Sequence, residues 1–187
     1  MGIYKDVMGT LVRVLAADNI DNSTKQSWQK LIDADLRQGC TGSSISVRDK
    51  FDYDCCLHAL LHRELAPAQW DVLVAKYSTH KANKVAAIGR LISRISSPAP
   101  QLFIYKAVTA WAIPKLRGEQ SGKRSTDMIV LSAEFYDMNT WDLEGKPEST
   151  RRRWKTGVAR CLERLEEQAV VHATEIFDRE EIFIDAA

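Results

Sequence analysis

The chain has 187 residues, is 45% hydrophobic and carries a formal net charge of +1, which fits one ordinary domain or two small ones. This composition excludes an intrinsically disordered chain, and no apolar run approaches the ~20 residues that cross a bilayer. No small-residue cleavage site follows an apolar core near the first residue, so we expect no secretion signal and a cytoplasmic location.

The first 50 residues predict a separate helical segment. Residues 1–17 place apolar side chains at helical spacing, and residues 21–24 offer caps for a second helix that runs past Trp28 to Leu36. The stretch QGCTGSSISVRDKF at 38–51 is rich in Gly and Ser and predicts a loop. We therefore expect a domain boundary near residue 50.

Three short helices are predicted next. They start at Asp52 or Asp54, at Pro67 in APAQWDVLVAKYST, and in NKVAAIGRLISRI at 83–95. Three such helices suit a helix-turn-helix unit and equally suit a plain helical bundle. LFIYKAVTAWAIPKL then predicts a buried helix that ends near Pro114, and RGEQSGKRST predicts a basic loop. MIVL predicts a short strand and LSAEFYDM a short helix.

Charge is distributed in blocks along the chain. Residues 76–124 hold 10 basic and 1 acidic side chains, and residues 146–165 hold 7 basic and 2 acidic ones. Acidic segments flank both blocks. A cluster of cations favours a surface for a polyanion such as nucleic acid, and pairing of basic with acidic blocks inside the fold is the alternative.

The second basic block contains PESTRRRWKTGVARCLERLEE at 147–167. Its apolar residues have the spacing of one helix face, and they are Trp154, Val158, Cys161, Leu162 and Leu165. Pro147 or Ser149 suits the helix start, where the helix dipole and the arginines together attract phosphate. An arginine there can also bind guanine with two hydrogen bonds. The acidic end of the helix, with Glu163, Glu166 and Glu167, is expected to point away from phosphates.

The candidate DNA contacts come from both basic blocks. The helix start and its flank provide Ser149, Thr150, Arg151, Arg152, Arg153 and Lys155, and the first block provides Lys81, Lys84, Lys123 and Arg124. We expect the arginines to contribute more than the lysines of the first block, because they lie at a helix N-terminus.

The histidines and cysteines are only weak indications of a metal site or of catalysis. Cys55, His58 and His62 share one face of CCLHALLHREL, but no fourth ligand stands at a recognised spacing, and small core residues explain the cysteines. The sequence has no nucleophile elbow, phosphate loop or metal motif. We therefore predict no metal, no cofactor and no catalytic residues, and a protein that is not an enzyme.

Several segments carry a family resemblance. STRRRWKTGVARCLERLEE resembles the recognition helix of the sigma-factor region-four fold through Ser149, Arg151, Arg153, Ala159, Leu162 and Leu165. LHRELAPAQWDVLVAKYSTHKANKVAAIGRL resembles the helix pair that precedes it. With PAPQLFIYKAVTAWAIPKL and LSAEFYDMNTWD, the chain is similar over roughly residues 52–170 to phage Q-type late-gene antiterminators and a related phage family of unknown function. It lacks the cysteine-rich zinc motif of some Q-type members.

The resemblance implies a transcriptional function in a host cell. Q-type proteins bind DNA near a late promoter, load onto RNA polymerase and let it pass terminators, so the implied partners are double-stranded DNA and host RNA polymerase, with its sigma factor as a possible contact. The alternative is a phage repressor or a DNA-packaging small subunit without polymerase contact. The expected fold is mainly α, a helical bundle with one or two helix-turn-helix units and little or no sheet. Its predicted domains are 1–50, 51–175 and an acidic tail at 176–187.

Overall fold

The fold is made of α-helices. The computed structural model describes residues 6–21, 47–115 and 129–183. Within these ranges lie α1 (Val7–Asp21), α2 (Val47–Glu64), α3 (Pro67–Tyr77), α4 (Lys81–Ile92), α5 (Gln101–Ala112) and α6 (Glu148–Arg179). Two single-turn 3₁₀ helices, Ala133–Tyr136 and Met138–Thr140, separate α5 from α6. None of the three ranges contains a β-strand, so the predicted mainly helical bundle is confirmed.

Several helix predictions need correction. Helix α2 begins at Val47, before the predicted start at Asp52 or Asp54. The segment LSAEFYDM forms two 3₁₀ turns instead of one helix, and residues 129–131 of the predicted strand are irregular. Helix α5 ends at Ala112, next to the expected stop at Pro114. The predicted second helix through Trp28 and the loop at 117–126 lie outside the described residues.

The connection between α3 and α4 is a three-residue turn at residues 78–80. Pro67 occupies the first turn of α3, and the Gln69 side chain accepts a hydrogen bond from the Ala66 amide at 3.2 Å. At the start of α4, His80 Nδ1 accepts from the Asn83 amide at 3.2 Å. Both helix starts are therefore fixed by local side chains, and the short turn has the length found in helix-turn-helix units.

By compactness the chain divides into two units. Unit 1 takes the described residues up to Leu65 and those from Val170 onward, and unit 2 takes residues 66–169. In unit 1, the nearly buried carboxylate of Asp54 on α2 accepts a hydrogen bond from Arg13 Nε on α1 at 2.8 Å. The predicted domains 1–50, 51–175 and 176–187 were drawn on loops and charge, and they stay predictions.

Unit 2 has its own core, formed by the inner faces of its four helices. The buried apolar residues include Trp70, Leu73, Ile88, Leu91, Phe103, Val108, Trp154, Val158 and Leu162. Burial of each of the larger side chains contributes about 1.5–3 kcal/mol of hydrophobic free energy. The predicted inner stripe of α6 is therefore confirmed at Trp154, Val158 and Leu162. It is wrong at Cys161, which is exposed because the centre of the buried face falls nearer Val158 and Leu162.

Candidate nucleic-acid interface

A tight turn at residues 142–146 directly precedes the start of α6. The buried carboxylate of Asp142 accepts hydrogen bonds from the Glu144 amide at 3.0 Å and the Lys146 amide at 2.7 Å. Gly145 within this turn has φ +67°, a left-handed conformation that side chains with a Cβ rarely adopt. The turn therefore fixes where Glu148 begins the helix and so where the arginines that follow lie.

The inner side of the first turns of α6 is anchored to the 3₁₀ segment. Arg151 is half-buried, and its Nη1 donates to Asn139 Oδ1 at 3.0 Å. Asn139 in turn donates through Nδ2 to Asp137 Oδ1 at 2.9 Å. The Lys155 ammonium lies 5.1 Å from the centre of the Trp141 ring, within the range of a cation–π contact. Arg151 and Lys155 thus contact the protein through an amide and a ring, and neither forms a buried pair with a carboxylate of the described residues.

The outer side of the same turns is exposed to solvent. Arg152 Nη2 lies 2.6 Å from Glu148 Oε1, and both side chains remain mostly exposed, at 72% and 59%. Such surface pairs contribute about 0–1 kcal/mol, so a phosphate can displace the carboxylate. Arg153 is exposed and makes no ion pair with any residue in the described ranges. Ser149 is exposed beside them, and Thr150 is half-buried.

The lysines of the first basic block lie elsewhere. Lys84 is half-buried, and its ammonium donates to the carbonyls of Lys76 at 3.0 Å and Ser78 at 3.4 Å at the C-terminal end of α3. Burial lowers the pKa of Lys84 below its usual value. Lys81 is exposed at the first position of α4. Lys123 and Arg124 lie outside the described residues. Lys84 therefore holds the α3–α4 turn together, a role that the sequence did not reveal.

Two further arginines belong to the exposed side of α6. Arg160 and Arg164 are exposed, and they follow Arg153 at seven and eleven residues. These intervals return to nearly the same side of a helix with 3.6 residues per turn. Neither side chain makes an ion pair with another described residue. Their positions opposite Trp154, Val158 and Leu162 are the sequence signal that identifies them, although they were not among the predicted contacts.

The acidic residues of α6 differ in their surroundings. Glu163 and Glu167 are exposed. Glu166 faces α3, where its Oε2 accepts from Lys76 Nζ at 2.5 Å and its Oε1 accepts from the Tyr77 hydroxyl. Burial, followed by the bond to the Glu166 carboxylate, raises the pKa of Tyr77 well above its ordinary value. Glu166 therefore joins α6 to α3, whereas Glu163 and Glu167 lie on the exposed side of the helix next to Arg164.

The two units carry opposite charge. The described residues of unit 2 include 14 basic and 9 acidic side chains, which gives a formal charge of +5. The described residues of unit 1 include 5 basic and 11 acidic side chains, which gives a formal charge of −6. The near-neutral chain therefore combines a cationic compact unit with an anionic one. By electrostatics alone, unit 2 is the more favourable surface for a polyanion.

Neither a metal-binding cluster nor a membrane-spanning helix occurs in the described residues. Residues 6–21, 47–115 and 129–183 contain no group of three or more His, Cys, Asp or Glu side chains placed to hold a metal ion. Of the described helices, none combines the length and apolar character that crossing a membrane requires.

Comparison with known proteins gives no match, whether against protein-family models, curated proteins or solved structures. The resemblance to Q-type antiterminators therefore stays a prediction from the quoted segments.

Proposed function

We propose that the chain is a DNA-binding regulator of transcription that contacts duplex DNA through the start of α6. The observation that carries the proposal is the arrangement of three consecutive arginines in the first turns of this 32-residue helix. Trp154 and Arg151 hold the inner side, while Arg152 and Arg153 extend into solvent. The positive end of the helix dipole adds to their attraction for phosphate.

The charge of unit 2 supports this assignment. Affinity for DNA comes largely from cations that replace counterions along the phosphate backbone, so a local excess of Lys and Arg matters more than the charge of the whole chain. Unit 2 has that excess in its described residues, and α6 brings most of its exposed arginines to one helix. Because no carboxylate of the described residues encloses these arginines, they can neutralise phosphates without first breaking buried ion pairs there.

The specific regulatory role that we propose is that of a phage antiterminator. Its support is the resemblance of residues 52–170 to Q-type proteins, which act on DNA and on RNA polymerase. Unit 1 is anionic and so unsuited to DNA, which makes it the candidate surface for host RNA polymerase or its sigma factor. A phage repressor or a packaging small subunit would use the same DNA surface and would leave the polymerase unbound.

Two measurements test the proposal. Binding of the full chain to a fluorescent DNA duplex, followed by anisotropy from low to physiological salt, tests the DNA contact, and a chain that does not bind even at low salt overturns it. Incubation with purified RNA polymerase, after nuclease treatment of both proteins, tests the second contact. Retention of polymerase supports the antiterminator role, and DNA binding without it supports the repressor or packaging alternative.

A further inference from the structure

We infer that α6 contacts DNA lengthwise, along about four turns of its exposed side, with Gly157 at the point of closest approach. This rests on the proposed function and extends it, because a contact through the helix start alone requires only the first turns. We call this side the outer face of α6, and its exposed members are Ser149, Arg152, Arg153, Thr156, Gly157, Arg160, Glu163 and Arg164.

The arginines of the outer face form a row. Arg153, Arg160 and Arg164 lie within roughly 20° of one line on the helix surface, because each residue turns the helix by about 100°. At a rise of about 1.5 Å per residue, the row extends for about 16 Å. All three are exposed, and they lie opposite the buried side chains of Val158 and Leu162. The row therefore continues the cationic surface of the helix start well beyond the first turns.

Gly157 lies beside this row in the middle of the helix. Glycine disfavours a helix interior relative to alanine, and here a Cβ would meet no atom of the described residues within 4 Å. The described part of the fold therefore does not require the missing side chain. Between long arginines, a position without a side chain lets an incoming molecule approach the helix backbone, with the Thr156 hydroxyl next to it.

Gly89 in α4 provides an internal contrast. It is also exposed, and a Cβ there would also meet no atom within 4 Å in the ranges that the structure describes. Its neighbouring cations, however, bind inside unit 2: Arg90 Nη2 lies 2.7 Å from the buried carboxylate of Asp71, and Arg94 Nη2 lies 3.7 Å from it. Only Gly157 is next to arginines that make no ion pair within the described ranges, so the surface around it suits an anion better.

The shape of the outer face fits a B-form duplex. The major groove of B-DNA is about 12 Å wide and admits an α-helix, whereas the major groove of A-form RNA is too narrow for side chains to enter. With Gly157 toward the groove floor, the arginines on either side extend toward bases and phosphates. Glu163 and Glu167 adjoin Arg164 and repel phosphates, so the contact ends at Arg164.

A matched pair of glycine substitutions tests the inference. Gly157→Ala and Gly89→Ala each add one methyl group to an exposed helix position, so each should raise the thermal unfolding midpoint by a few degrees. Gly157→Ala should weaken binding to a DNA duplex on the order of tenfold, by keeping the helix out of the groove, and Gly89→Ala should leave binding unchanged.

Arg160→Ala with Arg164→Ala should lower the log–log salt slope by about two, and an RNA duplex of equal sequence should bind more weakly than DNA.

The outcomes separate this inference from the proposed function. If Arg152→Ala with Arg153→Ala weakens binding while the substitutions at Gly157, Arg160 and Arg164 do not, the helix start alone contacts DNA and the lengthwise contact is wrong. If only Gly89→Ala weakens binding, the DNA contact belongs to α4, and the inference of a lengthwise contact along α6 is wrong. A wild-type chain without affinity for DNA removes the proposed function itself.

Discussion

The ring of Phe103 on α5 packs edge to face against the ring of Trp154 on α6, with their centroids 5.5 Å apart. Phe103 also meets Trp141 edge to face at 5.3 Å. Trp141 is fully buried and immediately precedes Asp142, whose turn starts α6, so one aromatic cluster fixes both the approach to the helix and its inner side. Edge-to-face pairs add about 0.5–1.5 kcal/mol each beyond burial, which makes this cluster the main anchor of the arginine-bearing turns.

Truncation of the cluster should therefore unfold unit 2 readily. We expect Phe103→Ala to lower the free energy of unfolding by about 3–5 kcal/mol, because it leaves a cavity between two tryptophans. Chemical denaturation followed by tryptophan fluorescence measures the change. Leu143→Ala, at a side chain that is 87% exposed, is the control and should change stability very little. A loss below about 1 kcal/mol for Phe103→Ala would contradict the anchoring role.

The hydroxyl of Tyr77 should make stability depend on alkaline pH. Its pKa is raised in the folded state, so the stabilisation it provides is complete below its ordinary pKa near 10 and is lost as the pH rises above that value. At pH 8 we expect the free energy of unfolding of the wild type to exceed that of Tyr77→Phe by about 1 kcal/mol. The difference is modest because the hydrogen bond to Glu166 is partly exposed to water. The difference should shrink between pH 10 and pH 11.

Urea denaturation at pH 8, 10 and 11 measures this difference. Tyr105→Phe is the matched control, because the Tyr105 side chain is 46% exposed and its hydroxyl has no hydrogen-bond partner in the described ranges. A gap near zero at pH 8 would show that the hydroxyl contributes nothing to the link between α3 and α6, and a gap that stays constant up to pH 11 would contradict the raised pKa of Tyr77.

Lys84 should affect folding more than DNA binding. Lys84→Met keeps the aliphatic stem and removes the donors to the carbonyls of Lys76 and Ser78, so we expect a loss of about 1–2 kcal/mol in stability. The double variant Lys81→Ala with Lys84→Met should weaken DNA binding less than the change of Arg152 and Arg153 to alanine. Anisotropy at one fixed salt concentration compares the two. A larger effect of the lysine pair would move the DNA contact to α4.

Helical periodicity predicted which side of α6 faces inward. Trp154, Val158 and Leu162 follow each other every four residues, and all three are buried because that interval returns to one side of a helix. The prediction that Cys161 is buried was wrong, because apolar character alone does not give the exact rotation of the helix about its axis. The length of α6 was also missed, since Ala169, Ala173 and Ile176 continue its inner face far beyond the quoted stretch.

The partners of polar side chains were not predictable from the sequence. Lys76 and Glu166 are 90 residues apart, and their bond exists only because α3 and α6 pack together. The same holds for Lys84, whose charge indicated a surface contact while its ammonium binds carbonyls at the end of α3. Periodicity predicts the side of the helix on which each side chain lies, but the packing of the helices determines which polar group that side chain contacts. The charge blocks, by contrast, gave the cationic character of unit 2 directly.

The salt dependence of DNA binding tests the central proposal most directly. Anisotropy with a DNA duplex, measured at several salt concentrations, should give a linear log–log plot for the wild type. Arg152→Ala with Arg153→Ala should weaken binding and lower the slope by about two, one for each lost phosphate contact. Arg63→Ala with Arg179→Ala removes the same charge from unit 1, where both arginines pair with Glu64, and should leave the slope nearly unchanged. Equal slopes and affinities for the wild type and the Arg152 and Arg153 variant would contradict the assignment of DNA binding to α6.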